Sequence, residues 1–382
     1  MVTQFYSPRR LVVGSNAVFQ LADVFHDLQV SNVFLIYSRS AVNNELLQSL
    51  LTLSSKRVMF TCFEMPKGEP TFAMLRIAVS VFQEKCCDGV VAIGGGSAID
   101  LAKAVAAVSK NPRQKFEQLG NQSSIERYPL VAIPTTAGTG SEATKISVLI
   151  DEVENVKYNP GHPDLIPDVA ILDANLTLTV PKQMTAQVGI DALTHAIEAY
   201  VSTKANDLSD FYALQAIQLI HQSLRIVYNE PEDVTNREQM LLGSYYAGLA
   251  FSNASTNLAH ATGRALGTMW NVPHGLSVAL THPFVAQYSY ESSGARYDKI
   301  ATLLGLQSGE EVARYLLTLN DELHIWHDAQ KLLQVDFINS IETMTTNALN
   351  GNGILTNAKV PTKEDVEYIF YHLFNHLAIV HS

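Results

Sequence analysis

The first 180 residues alternate short, continuously apolar runs with stretches of helical spacing, and this alternation leaves few folds open. Val33-Phe34-Leu35-Ile36-Tyr37, Val58-Met59-Phe60-Thr61, Val90-Val91-Ala92-Ile93, Leu130-Val131-Ala132-Ile133 and Val169-Ala170-Ile171-Leu172 read as strands. A parallel strand covered on both faces needs apolar residues at every position rather than at every second one. Amphipathic stretches at 41–53, 71–86 and 97–109 lie between these runs, which predicts a βαβ series and a doubly wound sheet. Leu11-Val12-Val13, led in by Ser7-Pro8-Arg9-Arg10, is expected to be a first strand rather than an export signal, because Gly14-Ser15-Asn16 breaks the apolar stretch.

After Pro181 the period changes. Residues 182–228, 236–268, 275–288, 295–306, 308–319, 328–347 and 362–379 all show helical spacing, with hardly a strand candidate among them. The expectation is an α/β domain over 1–179 and an all-α domain over 180–382, a division that 382 residues accommodate comfortably. No apolar stretch is long and uncharged enough to span a membrane: Gly89 to Val108, the best candidate, contains Asp100 and Lys103.

Charge narrows the partners. With 26 Lys and Arg against 37 Asp and Glu, the net charge is −11, and no run of five like charges occurs, which argues against a nucleic-acid groove or a polybasic membrane surface. Small-molecule ligands fit better. Cys62, Cys86 and Cys87 are odd in number, with two adjacent, and build neither a disulfide framework nor a CxxC knuckle; a reducing cytoplasm is the natural setting.

Gly94-Gly95-Gly96-Ser97 directly follows the strand at 90–93 and opens the helix at 97–109, with Asp100 and Lys103 one and two turns in. Glycines let a backbone approach a pyrophosphate, and free N–H groups at a helix N-terminus favour the anion. A tight structural turn would read the same way. A second polar loop, Pro134-Thr135-Thr136-Ala137-Gly138-Thr139-Gly140-Ser141-Glu142, leaves the next strand in like fashion, and two such loops at one sheet edge favour a nucleotide site. Strand 33–37 ends in Ser38-Arg39-Ser40, a hydroxyl and a cation where a carboxylate would hold an adenosine 2′-hydroxyl. The reading leans to NADP over NAD; alternatively Arg39 is a solvated residue and either cofactor is accepted.

In the helical half, Asp191 and His195 stand four apart and face one way from one helix. His260 and His274 follow 65 and then 14 residues later. One carboxylate and three imidazoles suit Fe²⁺ or Zn²⁺, with room for a substrate oxygen. Any one of these histidines alone reads equally well as a core residue, and the other nine are taken as structural.

These motifs resemble the metal-dependent group III, or iron-containing, alcohol dehydrogenase family over nearly the whole chain. The resemblance rests on Gly94-Gly95-Gly96-Ser97-Ala98-Ile99-Asp100-Leu101-Ala102-Lys103, on Pro134 to Glu142, on Gly189-Ile190-Asp191-Ala192-Leu193-Thr194-His195-Ala196-Ile197-Glu198, and on His260 with Pro273-His274-Gly275. It implies an N-terminal dinucleotide-binding α/β domain, a helical metal domain, a cleft between them and a homodimer. It also implies one divalent metal on Asp191, His195, His260 and His274, and NAD(P) held by the glycine loop with Thr135 and Thr136; Ser97, Asp100 and Thr139, with Ser38 and Arg39 at the strand end, are further candidate cofactor contacts. Lys157 matches a family lysine near the nicotinamide ribose. The implied reaction is hydride transfer between an alcohol carbon and nicotinamide.

Two positions depart from the family: Ser38 stands where NAD-using members end the second strand with Asp, and Arg264 stands where a histidine commonly follows the third ligand by four residues. A guanidinium cannot relay a proton near neutral pH but can clamp a carboxylate or phosphate, so Arg264 is a candidate catalytic residue and points to an anionic substrate. The branch that oxidises the C8 hydroxyl of the sugar acid Kdo is one such reading, beside a generic short-chain or polar aldehyde. A dehydroquinate synthase-like lyase and a non-enzymatic binding protein are the competing classes.

Overall fold

The computed structural model describes residues 3–40, 42–53, 58–154, 156–334 and 336–382. The first position of the helix expected at 41–53 and residue 335 within that expected at 328–347 lie outside these. The strands are β1 (Arg10–Val13), β2 (Asn32–Ser38), β3 (Met59–Met65), β4 (Gly89–Gly94), β5 (Leu130–Pro134), β6 (Leu149–Asp151), β7 (Val156–Tyr158) and β8 (Val169–Leu172). Six of them form one sheet in the order β1-β8-β5-β4-β2-β3, every pair parallel, while β6 and β7 make a small antiparallel hairpin. The hairpin strands are three residues each and mixed in polarity, so no alternation marked them in advance.

The continuous apolar runs have the expected cause. Phe34, Ile36, Val90, Ala92, Leu130 and Ala132 enter the core on one face of the sheet, and Val33, Leu35, Val91, Ile93, Val131 and Ile133 that on the other. Helices α1 (Leu21–Leu28), α2 (Asn44–Leu53), α3 (Phe72–Glu84) and α4 (Gly96–Lys110) follow β1 to β4 in turn. α4 is buried almost all round, as Ile99, Leu101, Ala102 and Val105 show, so it reads as apolar rather than amphipathic. The chain leaves β2 toward β3 and leaves β4 toward β5, in opposite directions across the sheet. The adjacent carboxyl ends of β2 and β4 are therefore the topological switch point, the position where open α/β sheets bind ligands.

The helices that follow are α5 (Lys182–Val201), α6 (Asp207–Asn229), α7 (Val234–Ala254), α8 (Leu258–Trp270), α9 (His274–Leu304), α10 (Glu311–Glu322), α11 (Ile325–Asp328), α12 (Phe337–Leu349) and α13 (Lys363–Val380). The stretch expected to be helical over 182–228 breaks after Val201, where extended Ser202 ends α5 and an Asn206–Ser209 capping box starts α6. That over 236–268 breaks at Ser255, whose φ is +84°. Conversely, the gap expected at 289–294 is spanned by α9, with only Ser293 non-helical.

The residues cluster into two compact units. One consists of Tyr6–Val180 and Glu232–Gly248, the other of Pro181–Pro231 and Leu249–Ser382 with the first residues up to Phe5. The change at Val180–Pro181 lies next to the division at 179/180, but the assignment of everything after it to the helical half misses Glu232–Gly248. One close backbone approach lies within this unit: a Cβ on Gly140, whose φ is +59°, would lie 2.7 Å from the Cα of Gly248. Two glycines let the loop after β5 rest directly on that helical segment, and helical spacing carries no trace of it. Among the described residues no helix is long and apolar enough to cross a membrane.

Candidate metal and cofactor sites

The metal candidates come together in the helical unit. Asp191 and His195 sit one turn apart on α5, His260 lies in the first turn of α8, and His274 opens α9. Asp191, His195 and His260 are all buried and offer ligand atoms within 4.8 Å of one another. His260 Nε2 lies 3.5 Å from Asp191 Oδ1 and His195 Nδ1 3.9 Å from Asp191 Oδ2, and the His195 and His260 rings stack at 4.2 Å between centroids. His274 stands slightly further out, its Nε2 3.7 Å from Asp191 Oδ1 and its side chain 39% exposed.

Asp191 Oδ1, His195 Nδ1 and His260 Nε2 are buried and have no hydrogen-bond partner among the described residues. Three such atoms converging on one spot would cost several kcal/mol if nothing met them there. The donor set of one carboxylate and imidazoles is that of a borderline divalent cation, so the residues fit Fe²⁺ or Zn²⁺. For Asp191 and His195 the electrostatics agrees. Burial pushes the Asp191 carboxyl up, but His195, His274 and His260 outweigh it and hold it far below the usual carboxylate range. Burial also pushes His195 down to about 3, keeping it neutral, as a ligand must be. His260 runs the other way: Glu198 and Asp191 overcome the effect of burial and raise it to about 9, so a cation bound at its Nε2 would displace a proton.

Glu198 is the residue overlooked in the sequence. Its Oε2 lies 2.6 Å from His260 Nδ1, and its Oε1 accepts the backbone N–H groups of Ala259 (2.6 Å) and His260 (3.3 Å). It falls seven residues after Asp191, and this register was the available signal.

Arg264 packs differently from a free cation. Its Nε donates to the carbonyl of His260 at 3.2 Å and its Nη2 to the carbonyl of Asn352, which ties α8 to the loop after α12.

The cofactor candidates gather in the α/β unit at the switch point. Gly95 caps α4, and no side chain caps the first N–H groups of the helix. A Cβ on Gly94 would lie 3.4 Å from Ser38 Oγ, one on Gly95 3.3 Å from Thr136 Oγ1, and one on Gly96 2.7 Å from Thr139 Oγ1. Ser38, the glycine turn and the threonine loop thus form one cradle whose floor is bare backbone, with Gly95, Gly96, Ser97, Thr136 and Thr139 all partly open to solvent. Such a floor suits a pyrophosphate. Thr135 is buried, its N–H donating to the Gly94 carbonyl at 3.0 Å. Arg39 pairs with Glu64 on β3 at 2.8 Å.

Asp100 turns inward beneath the cradle. Its Oδ2 accepts the Val148 N–H at 3.1 Å, and Lys103 Nζ lies 3.9 Å from its Oδ1. Fully buried Lys103 donates to Thr144 and to the Ile146 carbonyl, fastening the loop after β5 to α4. Burial pushes Asp100 up to about 6, Glu142 up to about 7 and Lys103 down to about 8. Lys157 lies on the β6–β7 hairpin, half exposed and paired with Glu69 at 2.7 Å.

A parallel α/β unit with a glycine cradle at its switch point, and a helical unit with a buried Asp-His-His cluster, define a dinucleotide-linked metalloenzyme class. Comparison with known proteins places the chain within it. Residues 8–174 match the family described as iron-containing alcohol dehydrogenase, and residues 185–374 match the C-terminal part of the Fe-containing alcohol dehydrogenase family. The chain is 32% identical to alcohol dehydrogenase 4 of Saccharomyces cerevisiae over 373 residues, covering 96% of this chain and 97% of that protein. It is 42% identical over 261 residues to the probable alcohol dehydrogenase EutG of Escherichia coli, covering 68% of this chain and 66% of EutG, just under two thirds of its length. The fold matches sulfoacetaldehyde reductase from Bifidobacterium kashiwanohense, solved in complex with NAD+, with a TM-score of 0.91 at 26% identity, covering 98% of this chain and 99% of that one. The chain belongs to the iron-containing alcohol dehydrogenase family. Both family matches name a dehydrogenase and neither lends support to the lyase or binding-protein alternatives.

Proposed function

We propose that the chain is a metal-dependent NAD(P)-linked alcohol dehydrogenase and aldehyde reductase, with Asp191, His195, His260 and His274 holding one divalent metal. The observation that carries this is the convergence of three buried, unpartnered ligand atoms. When bound, the metal supplies Lewis acidity toward an alcohol or carbonyl oxygen, and the nicotinamide takes or gives the hydride.

The residues divide the remaining work. Gly94, Gly95, Gly96 and Ser97 at the start of α4, with Thr136 and Thr139, hold the pyrophosphate by backbone and hydroxyl donors. Thr135 fixes the second loop to the first, and Asp100 with Lys103 braces both from below. Ser38 and Arg39 would face the adenosine ribose, where the cation, on leaving Glu64, would favour a 2′-phosphate and hence NADP. Lys157 would reach the nicotinamide ribose on leaving Glu69. Asp191, anionic, and His195, neutral, present lone pairs where the metal needs them.

Arg264 bears on substrate. Its bonds to two carbonyls use Nε and one Nη2 proton, so a clamp on an anionic substrate such as a sugar acid would draw on the remaining guanidinium protons. The fold match to a reductase named for sulfoacetaldehyde supports an anionic aldehyde as substrate. We read the enzyme as a cytoplasmic homodimer; light scattering tests the oligomer.

The function is tested by supplying metal-replete protein with a panel of neutral and anionic alcohols and aldehydes and following NAD(P)H at 340 nm. Turnover that a chelator abolishes and added Fe²⁺ or Zn²⁺ restores is expected. Absence of any signal across the panel in metal-replete protein contradicts the reading.

A further inference from the structure

Glu198 is buried to 2% exposure beside the metal candidates, yet it is too committed to serve as a ligand. Asp191, His195 and Glu198 fall at positions i, i+4 and i+7 of α5 and share one stripe of that helix. The carboxylate's hydrogen bonds run to the beginning of α8. One oxygen accepts two N–H groups of the first turn, from Ala259 and His260, and the other meets the ring of His260 at Nδ1. The N-cap residue of α8, Asn257, makes no side-chain cap bond; its amide instead donates to the Glu198 carbonyl at 2.7 Å. Glu198 therefore caps α8 from a neighbouring helix and grips its histidine with the same group.

We propose that Glu198 is the positioning residue of the metal site, holding His260 in the Nδ1–H form with the Nε2 lone pair turned toward Asp191 and His195. The inference rests on the metal reading above. An ionised carboxylate can only accept hydrogen bonds, so it pairs with His260 only when Nδ1 carries a proton. In the neutral ring, Nε2 is then the nitrogen with the free pair, and it is Nε2 that lies 3.5 Å from Asp191 Oδ1 without a hydrogen-bond partner among the described residues. Outer carboxylates that orient a ligating histidine typically change metal affinity 10- to 100-fold when removed. Glutamine at this position keeps the size of the side chain and one oxygen for the two N–H groups. Its amide NH₂, facing Nδ1, would demand the opposite tautomer and turn an N–H toward the metal position.

The test is the Zn²⁺ dissociation constant, measured by competition with a chromophoric chelator, for the wild type, Glu198→Gln, His260→Ala and the double variant. Glu198→Gln is expected to bind Zn²⁺ roughly 10- to 100-fold more weakly while the metal-free protein melts close to the wild type. In the His260→Ala background the same change should have little further effect, since Glu198 acts through that ring. Affinity within twofold of the wild type in folded Glu198→Gln, or an undiminished loss in the His260→Ala background, overturns the proposal and leaves Glu198 a helix cap only. Should Glu198→Gln not fold, Glu198→Asp retracts the carboxylate while keeping its charge. An altered visible spectrum of bound Co²⁺ in that variant supports the role, and an unchanged spectrum and affinity overturn it. Failure of the wild type to bind Zn²⁺ at all would overturn the metal reading, and this proposal with it.

Discussion

Arg39 Nη2 and Glu64 Oε2 lie 2.8 Å apart at the carboxyl ends of two paired strands, and the hydroxyl of Tyr37 donates to the same Glu64 oxygen at 3.2 Å. On the proposed cofactor placement, the cation beside the ribose is already paired. Glu64→Gln should release Arg39 toward a 2′-phosphate and strengthen NADPH binding relative to NADH. Exposed pairs are worth up to about 1 kcal/mol, so the gain is roughly fivefold at most. Arg39→Ala should weaken NADPH by about tenfold and leave NADH nearly unchanged, because only the phosphate makes a charge-assisted bond. Titrating both cofactors by nicotinamide fluorescence reads the two effects, and equal changes for both cofactors would contradict them.

Gly96→Ala tests the cradle itself. The added Cβ would lie 2.7 Å from Thr139 Oγ1 and 2.9 Å from its Cγ2, so the turn and the threonine loop must separate. Thr139 is β-branched and has few rotamers into which to retreat. Cofactor affinity is expected to fall by about tenfold or more, since backbone approach to the pyrophosphate depends on the turn's position. Zn²⁺ affinity should not change. Calorimetric titration of each ligand separates the two, and unaltered cofactor binding would mean that the pyrophosphate does not lie on this turn.

How much of this was legible beforehand depended on the range over which each signal acts. The strands were plain because burial on both faces makes Val33 and Phe34 apolar together, and the glycine turn because it interrupts such a run at a fixed place. Asp191 and His195 showed as a pair because one helical turn joins them. The partners that define the roles of other residues lie far away in sequence. Glu64 stands opposite Tyr37 in the strand register, so a reading of Ser38-Arg39-Ser40 alone sees the cation without its counter-charge. Glu198 meets a ring 62 residues later, and Arg264 meets carbonyls rather than an acid. Glu232–Gly248 belongs to the α/β unit and includes a close approach of Gly248 to Gly140, which no hydrophobic period can record.

Metal removal should be visible in stability as well as in turnover. Asp191 Oδ1, His195 Nδ1 and His260 Nε2 lack hydrogen-bond partners among the described residues, so the native state gains what a cation offers them and the unfolded chain does not. Free metal at about a thousand times its dissociation constant adds about 4 kcal/mol. At about 1–2 °C per kcal/mol for a chain of this length, a chelator is expected to lower the melting temperature by roughly 5 °C. Asp191→Asn should melt at the same temperature with or without Zn²⁺. Differential scanning fluorimetry suffices, and a chelator shift that persists in Asp191→Asn would place the stabilising ion elsewhere.

Glu142 offers a pH signature in the loop that frames the cradle. It is 1% exposed, and burial pushes its carboxyl up to about 7 from an ordinary 4.5, with Lys103 pulling weakly the other way. Between those two pH values the native state holds a proton that the unfolded chain has released. The native state then binds more protons, so this group's contribution is fully present below about pH 4.5 and is lost as pH rises through about 7. Asp100, pushed up to about 6, has the same sign, while Lys103, pushed down to about 8, acts only at higher pH with the opposite one. Glu142→Gln is neutral throughout and should escape the loss. Its stability relative to the wild type should rise between pH 5 and pH 7.5, by on the order of 2 kcal/mol. A slope should remain from Asp100. Urea midpoints at several pH values measure the difference, and a gap between variant and wild type that stays constant across the range would show that Glu142 does not titrate on folding.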